Sequence, residues 1–349
     1  MKDIFLSAII IAKNEEKNIE RCLKSINPVV DEIVLVDTGS SDNTKKIAAF
    51  YTENIFDFEW NDNFSDARNF AISKANGKIL FSIDADEAVS EKDYEKFETL
   101  KKYPINDIWG ITLPVRIYTK NPIDYNYHKC KGEYPEFENN YFGYVELRRT
   151  LIFPKNKLIK FNHIIHESVE KSISENNGPI HNENITIHNF GYDKHNPSEK
   201  EKFYEKLLFK ELNENPNNFK VHFDLGLHFF EKKDYQKSLD FLMKSYELSN
   251  KKKGLIAYYL ASNYFLVGKI DESEELLKNL LHLNQPGVYY YLSRISLIKG
   301  EKNKSLEIAR KAIRIFGENP FLIRNLADIY KAIGNKKLAK HYESKLKGN

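Results

Sequence analysis

Apolar positions come in unbroken runs at the start of the chain, and each run ends in charge or in a polar turn. Ser7–Ala12 (SAIIIA), Glu32–Asp37 (EIVLVD) and Lys78–Glu87 (KILFSIDADE) are of this kind. Such runs predict strands buried on both faces of a parallel sheet. Between the first two, Lys13-Asn14-Glu15-Glu16 opens a stretch in which Ile19, Cys22, Leu23 and Ile26 share one helical face. Thr38-Gly39-Ser40-Ser41-Asp42 is a tight turn, with Asp42 the expected N-cap of a helix over Asn43–Tyr51. Glu53–Phe58 reads as a short strand and Phe64–Ala75 (FSDARNFAISKA) as a helix. The βαβαβαβ order implies right-handed crossovers and a parallel sheet.

Beyond Glu87 the spacing loosens. Glu91–Lys101 predicts a helix, and Trp109–Tyr118 and Tyr144–Pro154 predict strands. Between these strands, Thr119–Gly143 reads as a loop holding Tyr125, Tyr127, Tyr134, Phe137, Tyr141 and Phe142. A loop of that length is functional or disordered in most compact domains, so its aromatics form either a lid or a small satellite core. Phe161–Val169 (FNHIIHESV) and Ile185–Tyr192 (ITIHNFGY) follow, the first strand-like. Asn196-Pro197-Ser198 starts a linker helix over Glu199–Leu212, with Ser198 and Glu201 at capping-box spacing.

From Asn217 the pattern repeats. Matching segments begin at Leu225, Leu260, Leu292 and Leu326, at offsets of 35, 32 and 34 residues. That is close to the ~34-residue period of tetratricopeptide (TPR) helix pairs. Gly268, Gly300 and Gly334 recur at the expected inter-helix turn, and Ser238, Ser273, Ser305 and Ala339 keep a small residue at one helix contact. Four TPR-like repeats are expected, a scaffold suited to partner binding or to homodimer contacts.

Composition narrows the class. The 349 residues suggest two domains, expected as 1–195 and 196–349. Only Cys22 and Cys130 are present, too few for a disulfide framework. The apolar start leads straight into a helix pattern without a basic n-region or cleavage site, and so reads as strand one. No run approaches the roughly 18 apolar residues of a membrane span. A soluble protein is expected, cytoplasmic or peripheral to the inner face of the membrane. The net charge of +3 hides −6 over residues 1–195 and +9 over 196–349; a basic second half permits an acidic partner or an anionic surface.

The chemistry collects at strand ends. In open α/β sheets ligands bind beyond the carboxyl ends of the strands, where Asp84 and Asp86 are expected. Two carboxylates one residue apart can share a hard cation, Mg²⁺ or Mn²⁺, with phosphate oxygens completing its shell. Asp37 ends the second strand, where a carboxylate can accept from a base or ribose. Arg68 and Asn69 precede the third run and suit a phosphate and a carbonyl. There is no GxGxxG and no GxxxxGK[ST], which speaks against dinucleotide or P-loop sites. Of Arg148 and Arg149, neighbours on one strand, one should face the site and one away.

Four segments, IIIAKNEEKNIERCLKSI, DEIVLVDTGSSDNT, FSDARNFAISKANGKIL and SIDADE, fall in an order that resembles the family 2 glycosyltransferases of the GT-A fold. The resemblance covers about residues 1–195. It implies a Rossmann-like α/β domain, followed here by all-α TPR-like repeats, and a nucleotide-sugar donor, UDP-linked. In that family pattern Asn14, Glu15, Asp37, Arg68, Asn69, Asp84, Ala85 and Arg149 would bind the donor. Asp84 and Asp86 would place the metal on the diphosphate, with His188 near it, and Glu167 or His166 would stand at the acceptor. Many relatives have a second acid after strand two where this chain has Thr38, which weakens the base contact of Asp37. The two-part organisation resembles sublancin-type peptide S-glycosyltransferases, and the same branch resembles lipopolysaccharide-core glucosyltransferases. The acceptor is thus a peptide, a glycan or a lipid-linked group, and no nucleic-acid partner is expected. Two rivals stand beside this: a TPR scaffold with a degenerate transferase domain, and a nucleotidyltransferase. The second should carry a Gly-rich or basic triphosphate loop near strand one, and KNEE is not one.

Overall fold

A computed structural model describes residues 3–119, 125–138, 141–191, 197–249 and 253–346, the side chains of 197–200 and 253 excepted. The first half alternates as its pattern requires: β1 (Leu6–Ala12), α1 (Ile19–Ile26), β2 (Glu32–Asp37), α2 (Thr44–Ala48), β3 (Ile55–Asp57), α3 (Phe64–Lys74) and β4 (Ile79–Ser82). Next come β5 (Glu87–Val89), a 3-10 segment (Glu91–Lys102), β6 (Gly110–Thr119), β7 (Tyr127–Lys129), α4 (Pro135–Glu138), β8 (Gly143–Pro154), α5 (Glu170–Glu175), β9 (Ile180–Asn182) and β10 (Ile187–Asn189).

The sheet runs β3-β2-β1-β4-β8-β6-β10-β5. Its first four strands are parallel; β8 then enters antiparallel to β4, and β5 antiparallel to β10. The sheet is buried on both faces, as the unbroken apolar runs require. Ala8, Ile10, Ile33, Leu35, Ile79 and Phe81 join one core with Ile19, Cys22, Leu23 and Ile26 of α1. The alternate residues Ile9, Val34, Val36 and Leu80 join a second core with Ala71 of α3. Period-2 alternation thus feeds two helical layers from one sheet.

Three local expectations change. The helix after the Gly-Ser turn spans only Thr44–Ala48: Asp42 Oδ1 accepts the Thr44 N–H at its start at 2.9 Å, and past Ala48 the bonds become 3-10-like, Phe50 N–H to Ile47 O at 3.2 Å and Tyr51 N–H to Ala48 O at 2.9 Å. Glu91–Lys102 is a 3-10 helix; its buried Phe97 and Leu100 lie three apart, the spacing that such a helix eclipses. The aromatic stretch is built around β7 and α4. There Tyr134 is buried and packs with Phe137 on His188, with ring centroids 4.4 and 4.5 Å away. That part is a satellite core. Lys120–Asp124, Asn139, Asn140 and the expected turn at Asn196 lie outside the described residues.

Helix α6 (Pro197–Glu214) leads to four helix pairs: α7 (Phe219–Glu231) with α8 (Tyr235–Leu248), α9 (Lys253–Leu266) with α10 (Ile270–Asn279), α11 (Pro286–Ile298) with α12 (Lys302–Phe316), and α13 (Pro320–Ala332) with α14 (Lys336–Lys345). Gly268, Gly300 and Gly334 turn between paired helices at φ of 82, 78 and 86°, and Lys233 takes that left-handed place in the first pair at 61°. The small residues of the second helices make one recurring bond. Ser238, Ser273 and Ser305 Oγ donate to the Gly226, Ala261 and Ser293 carbonyls at 2.7, 2.8 and 2.8 Å.

The chain divides into two compact units: Met1–Tyr118, Gly132–Asn140 and Glu146–Glu211; and Thr119–Lys131, Tyr141–Val145 and Leu212–Asn349. This differs from the boundary expected before Asn196. Most of α6 belongs to the first unit, where Phe203 packs on Trp60 at 6.0 Å and Leu207, Leu208 and Glu211 are buried. The hairpin around β7 groups with the repeats, where Tyr125 packs on Tyr258 at 5.5 Å and the Asn126 N–H donates to Gln285 Oε1 at 2.7 Å. No described helix is long and apolar enough to cross a membrane.

Candidate functional site

The carboxyl ends of β1, β2 and β4 share one edge because these strands are parallel neighbours. After Ser82 the chain leaves β4 through Ile83, Asp84, Ala85 and Asp86 and re-enters the sheet at Glu87. That turn is tied within itself: Glu87 N–H donates to Asp84 O at 3.0 Å, and Asp84 N–H to Glu87 Oε2 at 2.9 Å. Two arginines converge on it. Arg68, on the small-residue face of α3 and 7% exposed, donates to Asp84 Oδ1 at 2.5 Å, to Ser82 Oγ at 3.0 Å and, through Nε, to Glu167. Arg149 Nη1 reaches Asp84 Oδ2 at 3.1 Å and Glu87 Oε1 at 3.0 Å. Arg148, its strand neighbour, instead donates to the carbonyls of Thr112 and Glu183 at 3.0 and 2.9 Å. The alternation therefore assigns Arg149 to the site.

Arg68 and Arg149 face three carboxylates, Asp84, Glu87 and Glu167, and Asp86 adds its charge beside Glu87. For Asp84, burial favours the neutral acid, but Arg68 and then Arg149 outweigh it and hold the carboxyl well below the usual carboxylate range. For Glu87, fully buried, burial dominates; Arg149 offsets it in part while Asp84 and Asp86 add to it, and the pKa is pushed up to about 7. Burial, with Glu87 and Asp86 nearby, also pushes the Cys22 thiol well up. Its Sγ–H donates to Asp84 O at 3.4 Å.

The KNEE turn is laced to the turn after β2. Asn14, left-handed at φ 56°, donates its N–H to Ser40 Oγ at 2.9 Å, and its Oδ1 accepts the Ser41 N–H at 2.8 Å. The Glu15 N–H donates to Thr44 Oγ1 at 2.7 Å. Asp37, 2% exposed, accepts the Ser40 and Gly39 N–H groups at 3.0 and 3.3 Å. These three residues shape the rim of the strand-end crevice. Asn69 does other work: its amide clamps the backbone of Phe161, accepting at 2.9 Å and donating at 3.1 Å. Ala85 is buried in the core beneath the turn. His166 is exposed and left-handed at φ 54°, next to Glu167.

His188 is set apart from the carboxylates. It is fully buried, its Nδ1 is 2.8 Å from Tyr118 Oη, and Tyr118, Tyr134 and Phe137 wall its ring. Burial, with Arg116 second, lowers its pKa to about 3, so the ring is neutral. Among the described residues, no three His, Cys, Asp or Glu side chains gather as a metal set. The carboxylate oxygens of Asp84 and Asp86, two residues apart on one turn, are nonetheless donors of the hard kind that a divalent cation takes. Gly191 supports Asp86 by its lack of a side chain, since a Cβ there would lie 2.5 Å from Asp86 Oδ2.

Two members of the cluster are absent from the sequence reading. Ser82 is the one hydroxyl inside the apolar run, and Glu87 closes the acidic one; both signals were present in KILFSIDADE. Glu211 carries no such local mark.

The model of the glycosyl transferase family 2 matches residues 7–163. The chain is similar to the SPbeta prophage-derived glycosyltransferase SunS of Bacillus subtilis (strain 168), at 29% identity over 255 residues, 70% of this chain and 53% of that protein. It is also similar to an uncharacterized glycosyltransferase of Rickettsia felis, at 33% over 93 residues, 27% of this chain and 32% of that one. A TPR repeat-containing protein of Synechococcus elongatus is 40% identical over 82 residues, 24% of this chain and 20% of its own length. The chain spans about half or less of the length of these curated relatives.

Proposed function

Since residues 7–163 form a glycosyl transferase family 2 domain and the chain continues into TPR-like repeats, we propose that the protein is an inverting hexosyltransferase. It moves a sugar from a nucleotide-sugar donor, a UDP-sugar, to a peptide, glycan or lipid-linked acceptor. The observation that carries this reading is the strand-end cluster, in which Arg68 and Arg149 converge on the turn that bears Asp84 and Asp86.

In this reading Asp84 and Asp86 hold a divalent cation, Mn²⁺ or Mg²⁺. When bound, it neutralises charge on the departing diphosphate. Asp37 and the Asn14–Glu15 turn receive the nucleoside at the rim. Arg149 can turn from Asp84 and Glu87 to a phosphate oxygen, a bidentate partner of the same geometry as a carboxylate. Arg68 holds the Glu167 carboxylate through its Nε and aims it across the site. Glu167 then accepts the proton of the acceptor as it attacks the anomeric carbon from the face opposite the leaving group. His166, exposed beside it, faces the acceptor. The repeats recognise the acceptor or join two copies of the chain. A scaffold with a degenerate transferase domain has no use for four carboxylates kept together against their own repulsion.

The test is a donor-hydrolysis screen over UDP-, GDP- and dTDP-sugars with Mn²⁺ or Mg²⁺, followed by chromatography of the nucleoside diphosphate. Cation-dependent release from a UDP-sugar is expected, lost in Asp86→Asn with the fold retained. Full activity in EDTA, or in that variant, rules the reading out.

A further inference from the structure

Helix α6 carries an acidic side chain that is turned away from water. Glu211 is 2% exposed, whereas Lys202 and Lys206 of the same helix are exposed. Its Oε2 accepts the Ile164 N–H at 2.7 Å, and its Oε1 lies 2.9 Å from His163 Nδ1. A carboxylate is costly to bury unless donors meet it. Docking the helix does not call for one, because Leu207 and Leu208 already supply buried apolar surface.

The two donors belong to a loop of unusual backbone. Asn162 and Ser168 pair as an antiparallel bridge at its base. Inside it His163 and His166 are both left-handed, at φ of 81 and 54°. Non-glycine residues hold that conformation only where their surroundings over-determine it. Here α3 grips the loop from one side, with Ser65 Oγ donating to His163 O and the Phe64 N–H to Ile164 O at 2.9 Å. Glu211 grips it from α6. Three residues on from Ile164, Glu167 meets Arg68.

We propose that Glu211 is a positioning residue for transfer: by fixing His163 and Ile164 it sets the loop that presents Glu167 beside Arg68 and Asp84. The catalytic body then runs through α6 and does not end before Asn196. The inference rests on the reading of Glu167 as the group at the acceptor.

The experiment uses the full chain and its Glu211→Ala and Glu211→Gln variants. Two quantities are read: amide hydrogen exchange over residues 162–168, and steady-state kinetics with the UDP-sugar that the wild type turns over. In Glu211→Ala the amides of Ile164–Ser168 should exchange faster by about tenfold or more, the loss of one charge-assisted bond. kcat should fall on the order of 100-fold, with KM for the donor within a factor of about two, as expected when a reacting group is displaced by about 1 Å. Glu211→Gln keeps an acceptor for the Ile164 N–H and should recover most of both. Unchanged exchange in Glu211→Ala, or faster exchange with wild-type kcat, overturns the proposal. If Glu211→Ala fails to fold, His163→Ala, which removes only the imidazole partner, is judged by the same two criteria. A wild type inert towards every donor defeats the functional reading instead, and the exchange result alone then decides whether Glu211 holds the loop.

Discussion

Glu87 gives the first unit a pH-dependent weakness that a cation should repair. Its carboxyl is fully buried, and burial together with Asp84 and Asp86 raises its pKa from an ordinary 4.5 to about 7 against the pull of Arg149. A carboxyl with a raised folded pKa holds its proton more tightly when folded. Its contribution to stability is therefore intact below about pH 4.5 and is lost as the pH rises through about 7. At about 1.4 kcal/mol per pH unit, the gap amounts to on the order of 3 kcal/mol. Glu87→Gln removes this titration but forfeits one acceptor, for the Asp84 N–H or for Arg149, at a pH-independent cost of about 1–3 kcal/mol. Urea unfolding in EDTA, followed by tryptophan fluorescence, reads the effect cleanly, since Trp60 and Trp109 both belong to the first unit. Between about pH 5 and about pH 8 the wild type should lose on the order of 3 kcal/mol more than Glu87→Gln does. Saturating Mn²⁺ should shrink that difference, because a nearby cation favours the ionised carboxylate. Parallel pH profiles for the two proteins in EDTA would refute the reasoning.

Three further outcomes can be checked independently. Gly191→Ala places a methyl against Asp86 Oδ2, so calorimetric titration of UDP with Mn²⁺ should show Kd raised by about tenfold, or about 1.4 kcal/mol, while the melting temperature moves little. Asp37→Ala frees the Gly39 and Ser40 N–H groups and should weaken UDP binding by on the order of 1–3 kcal/mol; unchanged affinity removes Asp37 from the site. Ser305→Leu overfills the contact at which Ser305 Oγ meets Ser293 O and should destabilise the repeats by about 1–3 kcal/mol in circular-dichroism melts, leaving donor hydrolysis untouched.

Much of the architecture is written locally. The runs at Ser7–Ala12, Glu32–Asp37 and Lys78–Glu87 determined the buried parallel strands, because burial on both faces demands apolar residues at consecutive positions. The offsets of 35, 32 and 34 residues determined four helix pairs, since each pair must present a small residue and a left-handed turn at the same place. DADE marked the strand end where the acidic cluster lies. The choice between Arg148 and Arg149 was already confined to two by strand alternation.

What only the tertiary structure decided lies in contacts between distant positions. Arg68 and Glu167 are 99 residues apart in sequence, and Glu211 and His163 are 48 apart; neither separation leaves a periodic trace. Asn69 looked like a ligand-binding amide and is a clamp on the Phe161 backbone, because α3 passes beside that segment only in the folded unit. His188 looked like a neighbour of the metal and is enclosed by the rings of Tyr118 in β6, Phe137 in α4 and Tyr134 just before α4. Periodicity records how a residue meets its own strand or helix, so a sequence can state which faces are buried. Which buried charge meets which is set by the packing of whole elements, and Glu211 joins the first unit for that reason alone.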